Sequence, residues 1–127
     1  MIRFLFVALA VFIQPVVVQA QAESPAFVSG AYLYRLCGTV ENGKEIVEGA
    51  HNTCQSYIAG VIDYHKLLRS LNNPPPTEFC VPNTTKLNDL QNIVFRYLDA
   101  NNHNDPFNAA TGVALALSQA FPCKKKR

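Results

Sequence analysis

The sequence of 127 residues contains no tryptophan, one methionine and six glycines, and only 16% of its residues are charged. No apolar run beyond residue 22 approaches the ~18–20 residues that a membrane-spanning helix needs, so we expect no membrane insertion of the folded part. Alternating β-branched runs between tight turns, the pattern of β-strands, are absent as well. Hydrophobic residues still make up 49% of the chain, which is typical of a globular protein and excludes a disordered one.

The motifs of common active sites are also missing. There is no Gly-x-Ser-x-Gly turn, no His-Glu-x-x-His pair and no phosphate-binding loop. A basic stripe with interleaved aromatic residues, which a nucleic-acid surface requires, is absent. We therefore expect no catalytic residue, no metal site, no cofactor and no nucleic-acid partner. His51 and Cys54 could share a helix face as metal ligands, but oxidation of Cys54 would cancel that interpretation.

The first 22 residues have the pattern of a secretory signal peptide. Arg3 gives a basic start, an apolar run follows from Phe4 to Ile13, and Ala20-Gln21-Ala22 fits a small-residue cleavage site. Cleavage after Ala20 and an uncleaved anchor are the alternatives. The interrupted and short apolar core disfavours the anchor. Residues 1–22 are thus predicted to be removed, which predicts an exported protein.

The remainder is long enough for one domain. Removing 22 of 127 residues leaves 105, which can build one modest core but hardly two. Residues 23–123 hold six basic and nine acidic residues, whereas residues 124–127 read Lys-Lys-Lys-Arg. We therefore predict a mildly acidic domain at 23–123 and a solvated basic tail at 124–127.

The four cysteines predict two disulfides. An even number of cysteines in a small exported chain indicates pairing, and no C-x-x-C spacing points to a redox or zinc motif instead. Sequence alone allows three pairings. The cysteines are Cys37, Cys54, Cys80 and Cys123.

Apolar residues spaced by three and four predict four helices. The first spans 27–38 with Ser29 as its N-cap, and the second spans 46–71 and ends before three consecutive prolines. The third follows a cap at Thr84 or Thr85 and ends near Asn101. The fourth opens at Asp105-Pro106 and ends before Pro122.

The apolar faces of these helices predict the core. Helix two presents a stripe of Cys54, Ile58, Val61 and Leu68, with His65 inside it as a core histidine. Tyr57, Tyr64 and Leu71 border the stripe, and Gly60 is predicted to allow a neighbouring helix to approach. Helix three presents Leu87, Leu90, Val94, Tyr97 and Leu98. Helix four presents Phe107, Ala110, Ala114, Leu117 and Phe121, and its other small residues should let it lie deep in the bundle.

Four helices with short links predict an all-α fold, a compact antiparallel four-helix bundle. In an up-down-up-down order, the end of helix one lies beside the first half of helix two. The start of helix three likewise lies beside the end of helix four. This layout selects one of the three pairings, Cys37 with Cys54 and Cys80 with Cys123.

Several blocks, in order, resemble the Rap/Tai immunity proteins of type VI secretion systems. The resemblance spans Gly30 to Cys123. It is carried by Gly30-x-x-Leu33-Tyr34-x-x-Cys37, Cys54-x-x-Tyr57-Ile58-x-Gly60, Phe79-Cys80-Val81-Pro82, Val94-x-x-Tyr97-Leu98 and Ala120-Phe121-Pro122-Cys123. It implies a periplasmic, all-helical and often homodimeric protein. Such a protein catalyses nothing, but binds a peptidoglycan amidase toxin and occludes its active site.

The polar stretch after helix three is the candidate surface for this partner. Its hydrogen-bonding side chains are Asp99, Asn101, Asn102, His103 and Asp105. An acidic loop could also steer a basic partner and speed its association. The competing interpretation is a plain interhelical loop. The competing function is a periplasmic ligand-binding or chaperone-type protein with no toxin partner.

Overall fold

The computed structural model of the protein describes residues 27–38, 44–45, 47–101 and 108–124. Within these ranges the chain forms four α-helices and no strand, which confirms the all-α prediction. The helices are α1 (Gly30–Cys37), α2 (Ala50–Ser70), α3 (Leu87–Ala100) and α4 (Ala109–Ala120). The predicted signal peptide and the tail beyond Lys124 lie outside the described residues.

Helix α1 begins and ends as predicted. The Ser29 hydroxyl accepts a hydrogen bond from the Tyr32 backbone N–H at 3.1 Å, which satisfies one of the free donors of the first turn. The helix ends at Cys37, and the Gly38 N–H still donates to the Tyr34 carbonyl at 3.0 Å.

Helix α2 begins at Ala50, four residues later than predicted. Gly49 precedes it with a φ of 78°, a left-handed conformation that glycine adopts at low cost. The free N–H groups of Gly49 and His51 donate to the Glu45 carboxylate at 2.7 and 3.0 Å. An acidic side chain from outside the helix therefore caps its positive end. The helix ends at Ser70, close to the predicted Leu71.

The predicted starts of the third and fourth helices were wrong. Lys86 precedes α3 without a side-chain cap, so neither Thr84 nor Thr85 caps it. Asn108 caps α4, its side-chain oxygen accepting from the Ala110 N–H at 2.8 Å. The predicted cap at Asp105 lies outside the described residues, but a helix that begins at Ala109 does not include it. At the other end, Asn101 follows α3 as predicted.

The core follows the predicted faces with shifts on α2, α3 and α4. Ile62 is buried where Val61 was predicted, and Val61 and Leu68 are only half-buried. Gly60 is exposed, and in the described ranges no atom of another element lies within 4 Å of where its Cβ would be, so none of the four helices approaches it as predicted. On α3, Leu87 is exposed rather than buried. On α4, Ala109 and Val113 are buried where Ala110 and Ala114 were predicted, and Phe107 lies outside the described residues.

The buried hydrophobic residues form one cluster that all four helices supply. It also includes Phe79 from the segment between α2 and α3. The cluster is Leu33, Cys37, Cys54, Ile58, Ile62, Phe79, Leu90, Val94, Leu98, Ala109, Val113, Ala116 and Leu117. Helix α4 contributes small side chains to it and, like each of the other helices, contacts the other three.

Both predicted disulfides are present. Cys37 is bonded to Cys54 and Cys80 to Cys123, so none of the described cysteines is free. One detail of the predicted order is wrong. In an up-down-up-down bundle α1 and α3 run parallel, but Tyr34 stacks on Phe95 while the later Cys37 contacts the earlier Gln91. These two helices therefore run in opposite directions where they touch.

Candidate partner-binding surface

A shallow groove lies between α3 and α4, and we call it the α3–α4 groove. Its cavity volume is about 390 Å³. One wall comes from the second half of α3 and the other from the end of α4. The lining residues are Ile93, Arg96, Tyr97, Ala100, Asn101, Ala116, Gln119 and Ala120. The alanine side chains are small and leave the space that forms the groove. Arg96 is the one charged residue among those that line it.

Of the predicted partner-binding residues, the structure describes two. Asn101 lies at the rim of the groove, where its side-chain amide donates to the Tyr97 carbonyl at 2.8 Å and holds the end of α3. Asp99 lies toward α1 instead, because its carboxylate accepts a hydrogen bond from the Tyr34 hydroxyl at 3.0 Å. Asn102, His103 and Asp105 lie outside the described residues. The structure therefore joins Asn101, but not Asp99, to the groove.

The Tyr34 contact gives Asp99 a structural role. The Tyr34 ring stacks on Phe95 with the ring centroids 5.0 Å apart, and its hydroxyl reaches Asp99 one turn further along α3. Burial, followed by the hydrogen bond and the negative charge of Asp99, raises the pKa of the Tyr34 hydroxyl. The hydroxyl therefore stays protonated and donates, which ties α1 to α3 beneath the segment predicted to bind the partner.

A second, apolar pocket lies between α2, the proline-rich segment and α4. Its volume is about 280 Å³, and its wall is almost entirely apolar. The lining residues are Val61, Tyr64, His65, Leu68, Pro75, Pro76, Thr77, Phe79, Ala110, Thr111 and Ala114. At its edge, Tyr64 and Leu67 of α2 and Leu71, which directly follows α2, are 62%, 51% and 64% exposed. We call these three residues the apolar row.

His65 is a core residue, as predicted. It is 5% exposed, its ring stacks on Phe79 at 3.8 Å, and its Nε2 accepts the Phe79 backbone N–H at 3.4 Å. Acceptance at Nε2 requires the neutral ring, with its proton on Nδ1. Burial, followed by the positive charge of Arg69, lowers the pKa of His65, and Glu78 opposes this. These contacts give His65 a packing role.

Sequence reasoning missed the buried Gln91. It is 2% exposed, its amide donates to the Cys37 carbonyl at 3.0 Å, and its oxygen accepts from Gln55 at 2.8 Å. Gln91 follows the apolar Leu90 on the core face of α3. Its position on this apolar face was the feature of the sequence that could have predicted a buried amide. The groove residues carry no such signal, because alanine and arginine at helix ends are ordinary surface residues.

The described residues contain neither a metal-binding cluster nor a membrane-spanning helix. Among them, no group of three or more His, Cys, Asp or Glu side chains could hold a metal ion. None of the helices in the described ranges is long and apolar enough to cross a membrane. The α3–α4 groove, the apolar pocket and the apolar row are surface features that a protein can use to bind a partner.

Comparison with known families decides the class. Residues 29–123 match the family model of the Rap1a immunity proteins, well over half of the chain. The chain belongs to the Rap1a immunity protein family. Its partner is accordingly a toxin, and membership of an immunity family indicates an inhibitor rather than an enzyme. No curated protein and no solved structure matches the chain. The two disulfides of this Rap1a family member fit a secreted protein.

Proposed function

We propose that this protein is a periplasmic immunity protein that binds a type VI secreted peptidoglycan amidase and occludes its active site. The predicted signal peptide at 1–22 would export it, and the two disulfides fit the oxidising periplasm. The α3–α4 groove carries the proposal, because it is open and Asn101, one of the predicted partner-binding residues, lies at its rim. In the bound state the amidase would place an edge of its cleft against this groove.

The groove suits such inhibition because its walls are fixed. Tyr97 and Ala116 belong to helices whose inner faces are fully buried, and the Cys80–Cys123 disulfide holds the chain just beyond α4. A rigid surface loses little conformational freedom on binding, so more of the contact energy remains as affinity. The mildly acidic domain would further speed association with a basic toxin surface.

The test is a binding and activity assay with candidate type VI amidases. The mature oxidised protein should bind one of them and abolish peptidoglycan hydrolysis at equimolar ratio. Ala100→Arg and Gln119→Arg place bulk in the groove at exposed positions and should weaken binding about 30-fold or more, a typical hot-spot loss. Asn52→Arg adds the same charge on α2, outside the residues that line the groove, and should leave the affinity unchanged. Equal affinity of all three variants would remove the groove from the proposal.

The predicted acidic contribution needs a separate control. Charge reversal at Asp99 and Asp105 should slow association with the toxin. Because Asp99 also accepts from Tyr34, its reversal removes a contact between α1 and α3. Tyr34→Phe removes the same hydrogen bond without changing the charge and is the matched control. A slower association rate in the reversal variant alone would support steering, and an unchanged rate would exclude it.

We also propose that the protein forms a homodimer through the apolar row. Exposed Tyr64, Leu67 and Leu71 follow helical spacing, and exposed Gly60 lies one turn before them. A mid-helix glycine costs about 1 kcal/mol relative to alanine, and among the described residues a Cβ at Gly60 would meet no atom within 4 Å. Light scattering should show a dimer that Leu67→Glu with Leu71→Glu converts to a monomer. Lys66→Glu on the same helix is the control. A monomeric unaltered protein would contradict the dimer.

The apolar pocket favours one alternative, a ligand-binding protein without a toxin partner. Its volume of about 280 Å³ lies near the lower end of small-molecule sites, which begin at roughly 300 Å³. A hydrophobic fluorescent probe should report on it, and Ala114→Phe should fill it and abolish the signal. Probe binding that Ala114→Phe removes, together with no binding to any amidase, would favour the alternative.

A further inference from the structure

We propose that Cys80–Cys123 is a thiol–disulfide exchange site, whereas Cys37–Cys54 is a permanent cross-link. The two disulfides differ first in access. Cys37 and Cys54 are 2% and 0% exposed, but Cys80 and Cys123 are both half-buried. Exchange requires a thiolate to contact a sulfur atom directly, so burial protects the first pair and exposure opens the second.

The position of Arg69 indicates which of the two sulfur atoms is the leaving group in the exchange reaction. Its Nη1 lies 3.2 Å from the Cys80 Sγ, so the guanidinium stabilises negative charge that develops there. The Arg69 Nε lies 3.5 Å from the Glu78 carboxylate, which orients the guanidinium but also opposes negative charge nearby. The direct contact of Nη1 with the sulfur decides the balance in favour of the thiolate.

The reaction partner is a dithiol reductant. Its first thiolate attacks the Cys123 Sγ, forms a mixed disulfide there, and breaks the Cys80–Cys123 bond. The electron pair of that bond passes to the Cys80 Sγ beside Arg69. The second thiol of the reductant then attacks the reductant's own sulfur in the mixed disulfide and releases Cys123. The reductant leaves as a disulfide, and the protein gains two electrons and two protons.

Opening this bond loosens one end of the fold. The Cys80 N–H still donates to the Phe121 carbonyl at 2.8 Å, and Phe121 packs against the core. The covalent closure over a sequence separation of 43 is lost, however, so the end of α4 gains freedom. Gln119 and Ala120 of the α3–α4 groove belong to this end. Exchange therefore regulates partner binding at the groove, and this consequence alone rests on the proposed function.

The first test needs no toxin. The oxidised mature protein is exposed to dithiothreitol without denaturant, trapped with an alkylating reagent and mapped by mass spectrometry. Cys80 and Cys123 should be labelled at least about tenfold faster than Cys37 and Cys54, as expected for an accessible disulfide, and the helical circular dichroism should persist. Simultaneous labelling of both pairs, or earlier labelling of Cys37 and Cys54, would overturn the proposal.

The role of Arg69 is tested by charge removal. Arg69→Gln should slow the reduction of Cys80–Cys123 roughly threefold, because a less stabilised thiolate leaves more slowly. Arg35→Gln removes the same charge from an exposed position on α1, close in sequence to Cys37 and not to Cys80, and should react at the unaltered rate. Equal rates in the two variants would exclude the guanidinium as the stabilising group.

The consequence for the groove is measured last. Protein that is reduced and alkylated only at Cys80 and Cys123 should bind the amidase more weakly than the oxidised protein. Equal affinity would disprove the regulation of the groove. If the oxidised protein binds no amidase, the proposed function fails, whereas the labelling order of the two disulfides still decides the exchange site.

Discussion

The two disulfides lie in regions that differ in burial and in the pairing of their polar groups. At the Cys37 end, where α1 meets the start of α2, the disulfide is buried and the polar groups around it pair with one another. Gln91 donates to the Cys37 carbonyl and accepts from Gln55, and Glu45 caps α2. Every polar atom withdrawn from water there requires such a partner, because an unpaired one is costly.

The Cys80 end, between the end of α2 and the end of α4, is more open. Its disulfide is half-buried, three prolines stiffen the segment that precedes it, and its ion pair between Arg69 and Glu78 is 45% and 43% exposed. Water can replace most of these contacts at little cost. The Cys37–Cys54 disulfide therefore belongs to a packed interior, whereas the Cys80–Cys123 disulfide links chain segments whose polar contacts are exposed.

Removal of each disulfide is the strongest test of this difference. Chain entropy alone assigns about 3 kcal/mol to the shorter loop and about 4 kcal/mol to the longer one. Loss of two buried sulfur atoms adds about 1–2 kcal/mol at the Cys37 end, because a cavity remains there. We expect Cys37→Ala with Cys54→Ala to destabilise the protein more than Cys80→Ala with Cys123→Ala. Urea unfolding of both double variants measures this, and the reverse order would show that loop length outweighs burial.

The buried amide of Gln91 should have the next largest effect. Gln91→Leu keeps the side-chain volume but leaves the Cys37 carbonyl without its donor, which costs about 1–3 kcal/mol for a buried polar group. Gln55 is only half-buried, so Gln55→Leu should cost less than 1 kcal/mol, since water can take its place at Gln91. Urea midpoints of the two variants provide the comparison. Equal losses would mean that the two amides act as one unit.

At the Cys80 end, His65 should make stability depend on pH. Its pKa is lowered in the folded state by burial and by Arg69, so the unfolded state binds the proton more readily. Stability should be full above the ordinary histidine pKa of ~6.5 and should fall as the pH drops below it toward the lowered value. Below that lowered value both states are protonated and the loss levels off.

Two variants isolate this contribution to the pH dependence. His65→Phe removes the titrating group and should remove its share of the slope, although loss of the acceptor for the Phe79 N–H lowers stability at every pH. Arg69→Gln removes the second cause of the lowered pKa and should make the slope shallower. Urea midpoints from pH 7.5 to pH 5 give the slopes. An unchanged slope in His65→Phe would assign the pH dependence elsewhere.

Much of this fold could be predicted from the sequence, because local signals agree with the packing. Ser29 precedes a helix whose first donors it satisfies, and the order of the helices brought the right cysteines together. The apolar periodicity predicted which side of α2 faces the core, but it did not predict which residue lies at the centre of that side. Valine and isoleucine at 61 and 62 are equally apolar, and only the position of the neighbouring helices decides that Ile62 is buried.

The candidate site was harder to predict because its residues depend on tertiary contacts. A helix face of alanine becomes a groove only where the fold leaves it uncovered, and Ala100 and Ala120 line the groove for that reason. Asp99 is polar and exposed, which suggested a binding residue, but its partner Tyr34 lies 65 residues earlier in the chain. Hydrogen bonds of this range leave no periodic trace in the sequence.

The smallest expected effects compare one carboxylate from each end. Glu45 accepts two backbone N–H groups at the start of α2, so Glu45→Gln weakens a charged cap and should cost about 1 kcal/mol. Glu78 forms an exposed ion pair with Arg69 at 3.5 Å, so Glu78→Gln should cost at most about 0.5 kcal/mol. High salt should increase the difference between the effects of the two substitutions on stability, because screening weakens the exposed ion pair more than the half-buried helix cap. Thermal unfolding in low and high salt measures both differences. A larger loss for Glu78→Gln would mean that the Cys80 end is held by charge as well as by its disulfide.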